Sequence, residues 1–345
     1  MHHSLKALIS STFVLFLGLV LFLGVPSPLF ANGLPVSTTD CQSGIAPSGG
    51  CVVDTDTQGL YGINYSLTGN IASGATVGIT FDAIDTTTIN YSGNITTTGN
   101  SAAGVYFRTA SNISYSMLGD IGTSGSSSHG IYLLTSDSNT TTLTGDISTT
   151  GDSALGLFLD TSNNNTTTLT GDISTGNVGG ATGSNAHGLV LMHSTNNTTT
   201  LTGDISTTGS AAYGLLFVNS ANNTTTLTGD ISTTGNSAYG LYLINSTNNI
   251  IHLNGKVTAS HALADSAVFD NTADNNILAF GRGSTFITDY YNDGTGNTLD
   301  FTNLGRAASY RYDWTVIGPG GVGFGTAFLL TDANKPLVEG SAKSR

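Results

Sequence analysis

The 345-residue chain carries 22 acidic against 9 basic side chains, a net charge of −13 with histidine neutral. Between Arg108 and Lys256 there is no Lys or Arg at all, which removes the cations a phosphate backbone needs and excludes nucleic acid as a partner. So little charge beside 45 glycines and abundant Ser, Thr and Asn would suit a disordered chain, but apolar residues recur at regular intervals and argue for a folded one.

Residues 1–31 read as a secretory signal peptide. Lys6 opens the segment, residues 7–25 are uncharged throughout, Pro26 and Pro28 stop the helix, and the small residue Ala31 marks the cut. An uncleaved anchor is the alternative, because about 18 apolar residues can span a bilayer. Either way the chain is expected outside the cytoplasm, secreted or held at the cell surface. Cys41 and Cys51 then frame the loop "QSGIAPSGG". In an oxidising compartment such a pair forms a disulfide, since two thiols without nearby His cannot complete a zinc shell. The pair staples an N-terminal cap over 32–60.

Repeats follow over 61–281, marked by two glycine series. One precedes Asp-Ile or Asn-Ile at Gly69, Gly93, Gly119, Gly145, Gly171, Gly203 and Gly229, and continues to Gly255, before Lys-Val, with a degenerate Gly281. The other, Gly104, Gly130, Gly156, Gly188, Gly214 and Gly240, precedes an apolar triplet at spacings of 26, 26, 32, 26 and 26. Both series share the longer interval, so the extra residues form a loop within "GNVGGATG" (176–183). A fixed period of this size marks a solenoid. Within each unit the alternation is two rather than 3.6: Leu143 and Ile147 fall on one face, Thr142 and Thr144 on the other. The expected fold is a right-handed parallel β-helix of nine rungs, roughly 40 Å long at about 4.8 Å each. The "NN" pairs at 163–164, 196–197, 222–223 and 248–249 predict asparagines stacked at one turn. Residues 282–345 are expected to close the rod as a mixed β cap.

The unit I-x-T-x-G-x-x-A-x-G-L is satisfied by Ile231, Thr233, Gly235, Ala238, Gly240 and Leu241. It recurs at Ile205, Thr207, Gly209, Ala212, Gly214 and Leu215, and at Ile95, Thr97, Gly99, Ala102 and Gly104 with Val105. It resembles the repeat of bacterial autotransporter passengers, the surface β-helices of type V secretion, over about residues 60–281. The resemblance implies an exported adhesin or interaction surface that meets protein or glycan on host or neighbouring cells. Ser128 departs from the motif, which decays after Lys256. Only 64 residues follow Gly281, whereas eight barrel strands of about 10 residues need some 80. Outer-membrane association would therefore run through a barrel not present in this chain.

Three arrays are candidate sites. If the flanking leucines face inward, Tyr106, Tyr132, Phe158, Val190, Leu216 and Tyr242 form an outward apolar ribbon, a candidate binding surface unless a loop or the C-terminal segment packs over it. Asp120, Asp146, Asp172, Asp204 and Asp230 form a column that reads as solvated turn residues; one carboxylate per rung is too few for a firm cation site. The third array is a set of outward threonine ranks, Thr140, Thr142 and Thr144 with their equivalents, resembling the ice-binding face of some antifreeze solenoids. His129 and His187 occupy the slot of Tyr213 and Tyr239 and read as turn residues. Catalysis is not expected: the aspartates are regular rather than clustered, and no nucleophile elbow or cofactor motif occurs. A polysaccharide-acting enzyme is the alternative, and it would need a carboxylate cluster in the caps or the 176–183 loop.

Overall fold

The computed structural model describes residues 41, 44–45, 49–54, 64–176, 184–261, 264–282, 284–286, 290–303, 316–317 and 326–329. The expected signal segment lies outside them. The described strands form three sheets of 12, 9 and 11 strands, and neighbours within each sheet pair in parallel. One coil supplies Ile131–Leu134 to what we call sheet 1, Thr140–Thr144 to sheet 2 and Ile147–Thr150 to sheet 3. The next coil lays Leu157–Asp160, Thr166–Thr170 and Ile173–Thr175 against them in register. The chain is thus an all-β parallel solenoid of about eight rungs of about 26 residues.

Register follows from the repeat. Leu143 pairs with Leu169, Leu169 with Leu201, and Leu201 with Leu227, making one buried leucine column. Ile147, Ile173, Ile205 and Ile231 make a second column on sheet 3. Each buried aliphatic side chain contributes about 2 kcal/mol, and none is buried until the next coil covers it. A slip of one residue would turn every leucine outward, so the period itself locks the stacking.

The two glycine series serve two close approaches. Gly145 has φ +148°, and a Cβ there would sit 2.1 Å from the carbonyl oxygen of Gly119 on the rung below. A Cβ on Gly130 would lie 2.3 Å from Ile147 Cγ2 and 2.6 Å from the Gly156 carbonyl oxygen. The turn into sheet 2 instead uses asparagine in the left-handed region, Asn164, Asn196, Asn222 and Asn248 at φ 57–58°. Asparagine tolerates that conformation better than other residues with a Cβ.

The stacked asparagines are the residues just after these. Asn139, Asn165, Asn197, Asn223, Asn249, Asn276 and Asn297 are buried, and each backbone N–H donates to the Oδ1 of the next at 2.8–3.0 Å. In the triple "NNN" at 163–165 the stack therefore uses Asn165, not the pair 163–164 expected from the sequence. This ladder satisfies turn amides that would otherwise be buried without partners.

At the N-terminal end the Cys41–Cys51 disulfide forms, and Cys51–Asp54 pairs in parallel with Ile79–Asp82. The stapled segment is thus stacked on the solenoid. The other end is also built of β-strands. Tyr290–Asn292, Asn297–Asp300, Val316–Ile317 and Thr326–Leu329 all pair in parallel with preceding strands, so coiling continues past Gly281. Asn297 sustains it by taking its place in the asparagine ladder.

Candidate functional site

The aromatic ribbon does not lie open. Tyr106, Tyr132, Phe158, Val190, Leu216 and Tyr242 are only 0–3% exposed. They point away from the main core of leucines, as the alternation requires, yet they belong to a second buried layer on sheet 1. The rings of Tyr106, Tyr132 and Phe158 stack along the rod at 5.1 and 4.7 Å. Residues that precede the glycines of the second series lie edge-on against them. His129 meets Tyr132 at 72° and Phe158 at 70°, and Tyr239 meets Tyr242 at 66°. The expectation of an exposed ribbon is corrected: these rings stabilise the fold, and a partner would reach them only after the layer opened.

His129 and His187 belong to that layer. Their Nδ1 atoms accept from the backbone N–H of Leu155 and Tyr213 at 3.1 and 2.9 Å, and burial holds both pKa values down at about 3. With Nδ1 accepting, the neutral ring carries its proton on Nε2. Among the described residues no group of three or more His, Cys, Asp or Glu is placed to hold a metal ion.

The aspartate column is exposed and has a structural explanation. One carboxylate oxygen of each aspartate accepts the backbone N–H of the next rung: Asp120 from Asp146 at 3.0 Å, Asp146 from Asp172 at 2.8 Å, Asp172 from Asp204 at 2.8 Å, Asp204 from Asp230 at 2.7 Å, and Asp230 from Lys256 at 2.8 Å. Asn94 and Asn70 extend the same ladder downward. A charge-assisted bond per rung offsets the repulsion between stacked carboxylates.

The threonine ranks face outward as the alternation requires. Thr140, Thr142 and Thr144 are exposed or half-buried while Thr141 and Leu143 are buried, and the ranks at 166–170, 198–202 and 224–228 repeat this in register. Sheet 2 therefore presents a grid of hydroxyls and methyls about 4.8 Å apart between rungs and about 6.6 Å apart along each strand. The grid has no charged member.

Two charged pairs were not anticipated. At the end of sheet 1, Arg108 Nε donates to Asp82 Oδ1 at 2.6 Å and its Nη2 donates to the other carboxylate oxygen. Two rungs on, Asp160 Oδ1 accepts from Thr161 Oγ1 at 3.1 Å, with His193 Nδ1 3.7 Å away. Burial pushes the Asp160 carboxyl up. The repeat could have revealed both pairs: Asp82 and Arg108 are one 26-residue period apart, and Asp160 and His193 are one expanded period plus one residue apart. The arrangement is poorly suited to catalysis, since the guanidinium is committed to Asp82 and the Asp160 carboxyl lies largely under its neighbours.

No protein-family model and no curated protein matches this sequence. Among solved structures, a double mutant of the periplasmic alginate epimerase AlgG aligns over 78% of this chain and 77% of its own at 10% identity, with a TM-score of 0.26. A single mutant of the same epimerase aligns over 81% and 84% at 10% identity, with a TM-score of 0.24. At that level of superposition nothing about the chemistry of this chain follows from theirs.

Proposed function

We propose that this chain is an exported, non-catalytic interaction rod, secreted or displayed at the cell surface, that meets protein or glycan on host or neighbouring cells through the outward face of sheet 2. The observation that carries this reading is the registered threonine grid. A neutral hydroxyl costs much less to desolvate than a charge, so a large polar face can be covered at low cost. Repetition lets an extended ligand gather many weak contacts at once. Export is supported by the apolar N-terminal segment and by the Cys41–Cys51 disulfide, and delivery as an autotransporter passenger is the route the repeat motif suggests. The test is adhesion of cells displaying the protein. Thr168→Lys with Thr200→Lys should lower binding at least tenfold while the fold, followed by circular dichroism, is retained. Unchanged adhesion would count against the grid as the docking face.

The same two-dimensional register favours a second reading, in which the partner is the oxygen lattice of ice. Thermal hysteresis of the purified protein decides it. A freezing point equal to the melting point removes this reading and leaves the first intact.

A further inference from the structure

The turn into sheet 2 carries asparagines that the ladder does not use. Asn164, Asn196 and Asn222 are exposed at φ 57–58°, and their side-chain amides make no hydrogen bond among the described residues. Two positions on stand Thr166, Thr198 and Thr224 at the starts of strands. Each asparagine thus opens an Asn-x-Thr acceptor sequence in which x is not proline.

Overlapping acceptor sequences begin at Asn165, Asn197 and Asn223, and the fold closes them. Their Nδ2 atoms donate to the carbonyls of Ser136, Ser162 and Ser194 at 2.8, 2.8 and 2.9 Å, inside the ladder. The rod also contains its own controls. Asn248 and Asn275 occupy the same turn at φ 58° and 57°, but Ile250 and Ile277 stand where the hydroxyl is needed. Asn112 is followed by Ser114 at the right distance, yet its Nδ2 donates to Asp85 Oδ1 at 2.7 Å.

We propose that Asn164, Asn196 and Asn222 are N-glycosylation sites, a column of free outward amides that accepts sugar from a glycosyl phosphate donor, nucleotide-linked or lipid-pyrophosphate-linked. In the transfer the Nδ2 atom attacks the anomeric carbon of the donor. An N–C bond forms as the C–O bond to the donor phosphate breaks. The phosphate leaves with the electron pair, and the amide gives up one proton to the base of the transferase. Exposure, an unused amide and a hydroxyl two residues on coincide at these positions because the repeat places them together.

The experiment is peptide mass spectrometry of the full-length protein purified from the cells that make it. Sugar is expected on Asn164, Asn196 and Asn222, and not on Asn165, Asn197, Asn223 or Asn248. Thr198→Val should abolish modification at Asn196 alone, and Ile250→Thr should open Asn248 as a new site. Circular dichroism of both variants confirms that the β fold is retained. A single sugar at each site indicates a nucleotide-linked donor and one uniform oligosaccharide a lipid-linked donor; either supports the proposal. Bare asparagine at all three positions, sugar confined to Ser and Thr hydroxyls, or a pattern indifferent to both substitutions overturns it.

Discussion

Replacing Asn223 with alanine removes the middle of the buried ladder. Its Oδ1 accepts from the backbone N–H and the Nδ2 of Asn197 at 2.9 and 3.1 Å. Its Nδ2 donates to the Ser194 carbonyl at 2.9 Å and to Asn249 Oδ1 at 3.0 Å. The side chain has no exposure, so water has no route to replace these bonds. The substitution strands two donors of Asn197 and deprives the Ser194 carbonyl of a partner. At roughly 1–3 kcal/mol per stranded buried group the loss is about 4 kcal/mol. Asn222, one residue earlier and exposed, is the control; alanine there bears only the left-handed backbone cost of about 1–2 kcal/mol. Urea unfolding of the two variants measures the difference. Because stability in a solenoid passes between nearest neighbours, Asn223→Ala should also broaden or split the transition. A loss no greater than that of Asn222→Ala would refute the view that the ladder supports the turns.

The remaining predictions address other parts of the rod. His129 and His187 bind protons in the unfolded chain below about pH 6.5 but in the folded chain only near pH 3, so stability is lost as pH falls through that window. At about 1.4 kcal/mol per unit and per ring once the unfolded rings are charged, the two together cost about 3 kcal/mol between pH 6.5 and 5. Asp160 and Asp270, whose carboxyls burial pushes up, act in the opposite direction where they take up protons. His187→Tyr, which copies the residue at 213 and 239, should halve the pH slope of the urea midpoint; an unchanged slope would show that His187 does not titrate this way. Gly145→Ala must force the Gly119 carbonyl away and should cost about 3 kcal/mol, read as a lower thermal midpoint. Loss of the Cys41–Cys51 bridge in a double serine variant frees a 10-residue separation and should cost about 3 kcal/mol, visible as faster proteolysis from the N-terminal end.

Where residues repeat, sequence and structure agree, because identical coils stacked in register must put identical residues in columns. The leucine and isoleucine columns, the outward threonines and the disulfide were all legible from spacing and composition. Errors arose where period two was made to answer a question it does not contain. Alternation says that Tyr132 points away from the leucine core. It does not say whether anything lies on the other side, and the layer formed with His129 and Phe158 buries that ring. The "NN" pairs were likewise ambiguous, since either asparagine could enter the stack. The left-handed backbone at Asn164 decides that Asn165 turns inward.

The order of the chain by itself determined a parallel coil, its period, its inner columns and the absence of basic side chains over 109–255. The first three follow from local alternation summed over repeats. The tertiary structure alone decided which outward side chains meet solvent. It showed that the aspartate column serves the backbone of the next rung, and that Asn164 is free while Asn165 is bound. The physical reason is that exposure and hydrogen-bond partnership depend on atoms a full coil away or on another sheet, and no single repeat contains both partners.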